Sequence, residues 1–111
     1  NKSKIDKINS NKKYHNKIFA KHLDCTNPKD IKEYFKSLSN LTKIDGLINN
    51  IGIAGPTKYL QNISIDEWDQ TIKTNLSSHF YFAKFAIPFL KKAKKGSQDI
   101  LFSLINLYYL N

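Results

Sequence analysis

The sequence has 111 residues, enough for one domain and too few for two, and it carries 18 basic residues against 9 acidic ones. Every basic residue is lysine, whereas arginine is the side chain that reads phosphates and bases through paired hydrogen bonds, so the charge does not predict a nucleic-acid partner. One cysteine and three scattered histidines exclude a disulfide framework and a metal site. No apolar run is long enough for a membrane span and no segment has the pattern of a signal peptide, so we expect a cytoplasmic protein without a membrane partner.

The first elements are short and partly polar. Because the sequence starts at Asn1 and contains no Met, we expect it to be a fragment of a longer protein. Residues 1–16 carry few apolar side chains, which indicates either a frayed helix end or a linker. Residues 18–23 form an apolar-rich run that ends at Asp24, which is typical of a strand.

A helix is predicted over residues 28–38. Asn27 suits the N-cap and Pro28 suits the first helical position. The apolar stripe that follows at helical spacing consists of Ile31, Tyr34, Phe35 and Leu38. Residues 44–50 then predict a second strand, since an apolar centre is followed by the chain-breaking Gly52.

The best-marked element is a long helix over residues 65–94. Ser64 and Glu67 have the spacing of a capping box, and apolar residues keep helical spacing for about six turns behind it. Pro88 is expected to bend this helix because it cannot donate to the preceding turn. Residues 100–105 predict a third strand.

Strands and helices therefore alternate in the order strand, helix, strand, long helix, strand. Helical connections of this length join parallel strands through right-handed crossovers. The sequence predicts an incomplete α/β doubly wound parallel sheet of Rossmann-like type, in one partial domain over residues 1–111.

Three motifs in this arrangement indicate a protein family. Asn-Asn-Ile-Gly at residues 49–52 follows the second strand, Asp24 ends the first strand, and Asn75 with Leu76 lies in the long helix. In this order and at about this spacing, the motifs resemble the short-chain dehydrogenase/reductase family over most of the chain. The resemblance implies a nicotinamide-cofactor domain, with NAD or NADP as cofactor and a small alcohol or carbonyl compound as substrate.

The resemblance also assigns the cofactor residues. Asp24 is implied to accept a hydrogen bond from the adenine amino group, with the backbone of Cys25 beside it. Asn50, Ile51 and Gly52 are implied to lie along the adenosine ribose, and Ile51 departs from the family's usual Ala. Without the resemblance, Asp24 is better explained as a solvated strand end or part of the helix cap at Asn27. The Asn and Gly residues are then an ordinary exit from a strand.

Two catalytic residues are implied as well. Asn75 matches the asparagine of the family's catalytic tetrad, where a local helix distortion lets it hold a water next to the catalytic lysine. The alternative is a buried Asn that the backbone satisfies. Ser103 falls near the family's catalytic serine, which binds the reacting oxygen, although a slip of one residue would turn it to the opposite face.

Other parts of the family's site are missing from the sequence. No Gly-x-Gly-x-x-Gly turn is present to seat a pyrophosphate, and no tyrosine is followed four residues later by lysine to act as the general acid and base. We therefore expect these 111 residues alone to be inactive. The alternative function is a catalytically dead remnant or an interaction module.

A homo-oligomer through the long helix, residues 65–94, is the remaining expectation. The family often pairs subunits through this helix. The aromatic residues that we expect to include interface positions are Phe80, Phe82, Phe85 and Phe89. Ordinary core packing is the alternative for each of them.

Overall fold

The computed structural model of the chain describes residues 2–14, 17–41, 43–93 and 99–102. Its main elements, in chain order, are α1 (Lys2–Asn9), α2 (Pro28–Ser37), β1 (Gly46–Asn49), α3 (Ile65–Ile72), α4 (Ser78–Leu90) and β2 (Asp99–Phe102). A π-helical turn, Lys73–Ser77, joins α3 to α4, and short 3-10 turns occupy Lys12–Tyr14 and Leu60–Asn62. Within the described ranges, no helix has the length and apolarity that a membrane span requires.

The two strands form a parallel sheet. Gly46 of β1 pairs with Asp99 of β2, and the register continues to Asn49 and Phe102. Parallel neighbours need a long crossover between them, which α3, the π turn and α4 supply. The second and third predicted strands are thus confirmed, although residues 103–105 of the third lie outside the described residues.

The first predicted strand is wrong. Residues 18–23 pair with no strand in the described part of the chain. Instead, the side-chain amide of Asn9 binds both backbone groups of Ala20: Nδ2 donates to the carbonyl at 3.0 Å, and the N–H donates to Oδ1 at 2.8 Å. A strand exists only through hydrogen bonds to a neighbouring strand, and a doubly wound order puts two further strands between this segment and β1. The described residues contain neither, so an apolar run alone does not make a strand here.

The lead-in is helical where it is described. Of the two interpretations of residues 1–16, the helix is correct for α1, which spans Lys2–Asn9. Asn9 is the last residue of that helix, so its contact with Ala20 places α1 beside the extended segment.

The core lies between α2 and α4. Its buried side chains are Ile31, Phe35, Ala86 and Leu90. The rings of Phe35 and Phe82 meet edge to face with their centroids 6.2 Å apart, a favourable geometry for two aromatic rings. Asn27 caps α2 by accepting the Lys29 N–H at 3.0 Å, so the predicted helix and its cap are both confirmed.

The long helix is confirmed from residue 65 to residue 90, with one local change. Ser64 accepts the N–H of Glu67, and the Glu67 side chain accepts the N–H of Ser64, so the predicted capping box is present. In the π turn the N–H of Ser78 donates to the carbonyl of Lys73, five residues earlier instead of four. One extra residue in a turn changes which side chains face the sheet.

The cap gives a direct stability prediction. Ser64→Ala removes the hydroxyl that accepts the Glu67 N–H at 3.2 Å, so the free energy of unfolding should fall by about 1 kcal/mol. The measurement is the denaturant midpoint. Ser39→Ala, at an exposed turn after α2, is the control and should change stability by less than about 0.5 kcal/mol. Equal midpoints for both variants would contradict the cap.

The same cap should give a pH dependence. The ammonium of Lys58, followed by the Ser64 N–H and hydroxyl, lowers the pKa of Glu67 from 4.5 to about 2. Because the unfolded chain holds this proton more tightly, Glu67 stabilises the fold above pH 4.5, and that contribution is lost as the pH falls towards about 2. Denaturant midpoints measured across this window should fall more steeply for the parent than for Glu67→Gln. Parallel pH profiles for the two proteins would rule out this coupling.

Candidate functional site

Residues 50–53 leave the carboxyl end of β1 and run along the long helix. Asn75, in the middle of the π turn, binds both backbone groups of Ile53: Nδ2 donates to the carbonyl at 2.9 Å, and the Ile53 N–H donates to Oδ1 at 2.8 Å. The structure therefore contains the helix distortion that the family resemblance implies, and Asn75 is satisfied by backbone. The catalytic role of Asn75 stays a prediction.

A second contact of the same kind lies one helical turn further along. Nε2 of His79 is 2.9 Å from the carbonyl oxygen of Ile51. The amide of Asn49 donates to the carbonyl of His79 at 3.4 Å. Asn49 and His79 are 2% and 3% exposed, so these polar groups are shielded from water and depend on one another.

Asp24 forms a compact turn with Thr26. Oδ1 accepts the Thr26 N–H at 2.9 Å and the Thr26 hydroxyl at 2.8 Å. These two bonds, and more weakly the positive charges of Lys73 and His22, lower the pKa of Asp24. The carboxylate is therefore ionised at neutral pH and accepts hydrogen bonds only. Its second oxygen, Oδ2, has no hydrogen-bond partner among the described residues.

The thiol of Cys25 does not have the properties of a reactive sulfur. Its thiol is half-buried and points to the carbonyl of Leu23 at 3.7 Å. Burial, together with the negative charge of Asp24, raises the pKa of this thiol. A neutral thiol is a poor nucleophile and a poor metal ligand. No group of three potential metal-binding side chains occurs in the described part of the chain.

A cleft of about 620 Å³ separates the extended segment from β1. Cys25, Asn50 and Ile51 line it together, so three of the five predicted cofactor residues border the same cleft. Much of the remaining lining is apolar, and includes Phe19, Leu23, Phe35, Leu47 and Phe82. These apolar side chains form the floor of the cleft and resemble a surface that packs against a sheet. We call the part of the cleft where Cys25, Asn50 and Ile51 lie its rim, and polar groups at strand ends are typical of a ligand site.

The other two predicted cofactor residues, Asp24 and Gly52, adjoin Cys25 and Ile51 in the chain but are not among the residues that line the cleft. Gly52 lies between the two backbone contacts made by His79 and Asn75, and Asn50 is exposed. The positive charge of Lys73, from the π turn, acts on Asp24 in the turn before α2 and helps to lower the pKa of its carboxyl. Ser103 lies outside the described residues.

His79 was missed from the sequence. Two serines precede it and aromatic residues follow it, and a lone histidine in such a helix gives no signal of its own. Its spacing of four residues from Asn75 is the one clue, because residues four apart lie on the same face of a helix.

Comparison with known proteins gives a consistent result. The sequence profile described as short chain dehydrogenase matches residues 1–102. The 3-oxoacyl-[acyl-carrier-protein] reductase FabG of Buchnera aphidicola (subspecies Baizongia pistaciae) is 36% identical over 84 residues, which are 75% of this chain and 34% of that protein. The chain spans about a third of the length of the curated relatives that it matches.

Solved structures agree. The aldohexose dehydrogenase of Thermoplasma acidophilum, in ligand-free form, superimposes with a TM-score of 0.60 at 31% identity, over 73% of this chain and 33% of its own. The NADH-dependent reductase A1-R′, solved with NAD, gives a TM-score of 0.57 at 30% identity, over 62% of this chain and 29% of its own.

Proposed function

The chain belongs to the short-chain dehydrogenase family, and from that premise we propose that it forms the adenosine side of an NAD(P) site in an oxidoreductase that interconverts an alcohol and a carbonyl. One observation carries the proposal: Cys25, Asn50 and Ile51 line the same cleft, and Asn50 and Ile51 follow the carboxyl end of the parallel strand β1. In open α/β sheets this edge is where ligands bind.

The chemistry of the rim supports an adenosine. An adenine amino group needs an acceptor, and the ionised carboxylate of Asp24 keeps Oδ2 for one. The flat base and ribose need a close approach to backbone, which Gly52 permits because it lacks a side chain. The relative solved with NAD belongs to the same family and supports a nicotinamide dinucleotide as the ligand.

We also propose that the complete sheet has a doubly wound topology. The parallel pair β1–β2 and the crossover through α3 and α4 are its observed portion. The apolar floor of the cleft, between β1 and residues 18–23, is where the doubly wound order places two more strands.

The second candidate function is an inactive remnant or an interaction module. The observation that favours it is chemical: the sequence contains neither the glycine-rich turn nor the paired tyrosine and lysine. A cofactor bound only through its adenosine would have no binding site for its pyrophosphate and no proton donor beside its nicotinamide.

A chimera separates the two functions. The matched segment of the Buchnera aphidicola FabG reductase is replaced by the corresponding residues of this chain, and reduction of a 3-oxoacyl substrate is followed with NADH and with NADPH. We expect turnover with at least one cofactor. Asp24→Ala should raise the KM for the cofactor by about tenfold, the equivalent of one lost hydrogen bond to a charged group. Asn75→Ala should lower kcat by on the order of 100-fold.

The control is Ser39→Ala in the same chimera, which should behave like the parent. A folded chimera that binds neither cofactor would favour the inactive remnant. Normal kcat in Asn75→Ala, at unchanged stability, would remove Asn75 from the catalytic residues.

We further propose that a homodimer forms through the outer face of the long helix. Of the four phenylalanines considered above, Phe82, Phe85 and Phe89 pack against the core and only Phe80 is exposed. The outer face instead carries a stripe of exposed apolar side chains, Ile65, Trp68, Leu76, Phe80 and Ile87. A contiguous apolar stripe of this kind is typical of an interface.

Charge supports an antiparallel pairing of two copies. The stripe is flanked by Asp66 and Asp69 near its start and by Lys84 and Lys91 near its end. A two-fold axis across the middle of the helix would bring the acidic start of one copy beside the basic end of the other. Parallel pairing would instead place like charges together.

Phe80→Glu tests this interface. Because Phe80 is 60% exposed, the substitution should leave the monomer folded while it places two charges in the paired stripe. Sedimentation velocity should show a dimer for the parent and a monomer for the variant. Leu41→Glu, at an exposed site beyond α2, is the matched control and should remain dimeric. A monomeric parent at high protein concentration would contradict the proposal.

A further inference from the structure

Three polar contacts hold the segment after β1 onto the long helix. Asn49 donates to the backbone of His79, the ring of His79 meets the carbonyl of Ile51, and the amide of Asn75 binds Ile53. Ile51 contacts His79, whereas Ile53, which comes later in the segment, contacts Asn75, which comes earlier in the helix. The segment therefore runs antiparallel to the helix.

This pairing is geometrically matched. Four helical residues rise about 6 Å, and two extended residues advance about 6.6 Å. Asn75 and His79 can therefore reach Ile53 and Ile51 at the same time only when the chain between them is extended. The amide of Asn75 also reaches both the N–H and the carbonyl of Ile53, which an extended residue presents on the same side.

The chemistry of the His79 contact is fixed by its partner. A carbonyl oxygen only accepts, so Nε2 must carry the hydrogen and donate it. The side chain is 3% exposed, so water does not replace this bond readily. The backbone groups of successive residues in an extended chain point to opposite sides, so those of Asn50 point away from the helix while those of Ile51 and Ile53 face it.

We infer that His79 is a positioning residue for residues 50–52. Its Nε2–H bond to the Ile51 carbonyl, together with the two bonds between Asn75 and Ile53, fixes which backbone groups of these residues face the rim of the cleft. The consequence for cofactor binding rests on the proposed function. His79 touches no ligand in this arrangement and acts only through the Ile51 carbonyl.

The first test is spectroscopic and uses the unaltered chain. In ¹⁵N NMR at neutral pH, Nε2 of His79 should carry the proton and the Ile53 amide should exchange slowly with solvent. An unprotonated Nε2 at neutral pH would overturn the inference without any substitution.

The second test compares two replacements. His79→Leu removes the donor, and His79→Gln places an amide nitrogen where Nε2 stood. Exchange of the Ile53 amide should become about tenfold faster in His79→Leu, about 1.4 kcal/mol of local opening, and should return towards the parent rate in His79→Gln. Leu90→Ala, a buried core change in the same helix, controls for general loss of stability and should not act selectively at Ile53. A parent-like rate in His79→Leu, or no rescue by Gln, would overturn the inference.

A ligand arm separates this inference from the proposed function. NADH and AMP are titrated against the parent and the two His79 variants while the amide shifts of Asp24 and Asn50 are followed. We expect weak, saturable shifts that require about tenfold more ligand in His79→Leu and recover in His79→Gln. If neither ligand shifts these amides in the parent, the adenosine-site proposal fails, while the exchange rates still decide whether His79 positions the segment.

Discussion

Burial of one face of α4 is the constraint on which the described structure depends. Ala86 is fully buried and Leu90 nearly so, against Ile31 and Phe35 of α2. Deleting a buried side chain of this size typically costs about 2–5 kcal/mol, so this contact fixes how far α4 can slide or rotate. Once α4 is fixed, its first turn and the preceding π turn are fixed too, and these carry His79 and Asn75. The core therefore sets the register in which the segment after β1 is held.

The parts that could be predicted from sequence are those that depend on neighbours in the chain. The capping box at Ser64 needs only two residues three apart, and the stripe of α2 needs only helical spacing. Residues 18–23 show the limit: their composition suits a strand, but strand pairing is non-local, and Asn9 binds Ala20 instead. An asparagine side chain carries the same donor and acceptor as a backbone amide, so it can occupy a place that a strand would otherwise fill.

The candidate site divides in the same way. Asp24, Cys25 and residues 50–52 were assigned from the family resemblance, and the structure places Cys25, Asn50 and Ile51 in the lining of one cleft. His79 was not found because it has no local signature. The π turn has none either, and a helix distortion at Asn75 was implied only by the family resemblance. A π turn depends on which backbone bonds the surroundings favour, and the role of His79 depends on a carbonyl that lies 28 residues earlier in the chain. Phe82, Phe85 and Phe89 were ambiguous for a similar reason, because hydrophobicity does not tell which side of a helix will find the core.

Under the proposed function, the polar character of the contacts that Asn75 and His79 make has a physical reason. A chain that offers its backbone to a ligand on one side cannot be covered by a strand on both sides, yet its inner carbonyls would be costly to bury without partners. Apolar packing would shield those carbonyls without satisfying them. Asn75 and His79 satisfy the carbonyls of Ile53 and Ile51 from the helix, on the side of the segment away from the proposed ligand. The buried His79 and the π turn beside it are thus explained in the same way, because both put hydrogen-bonding groups next to the backbone of the segment after β1.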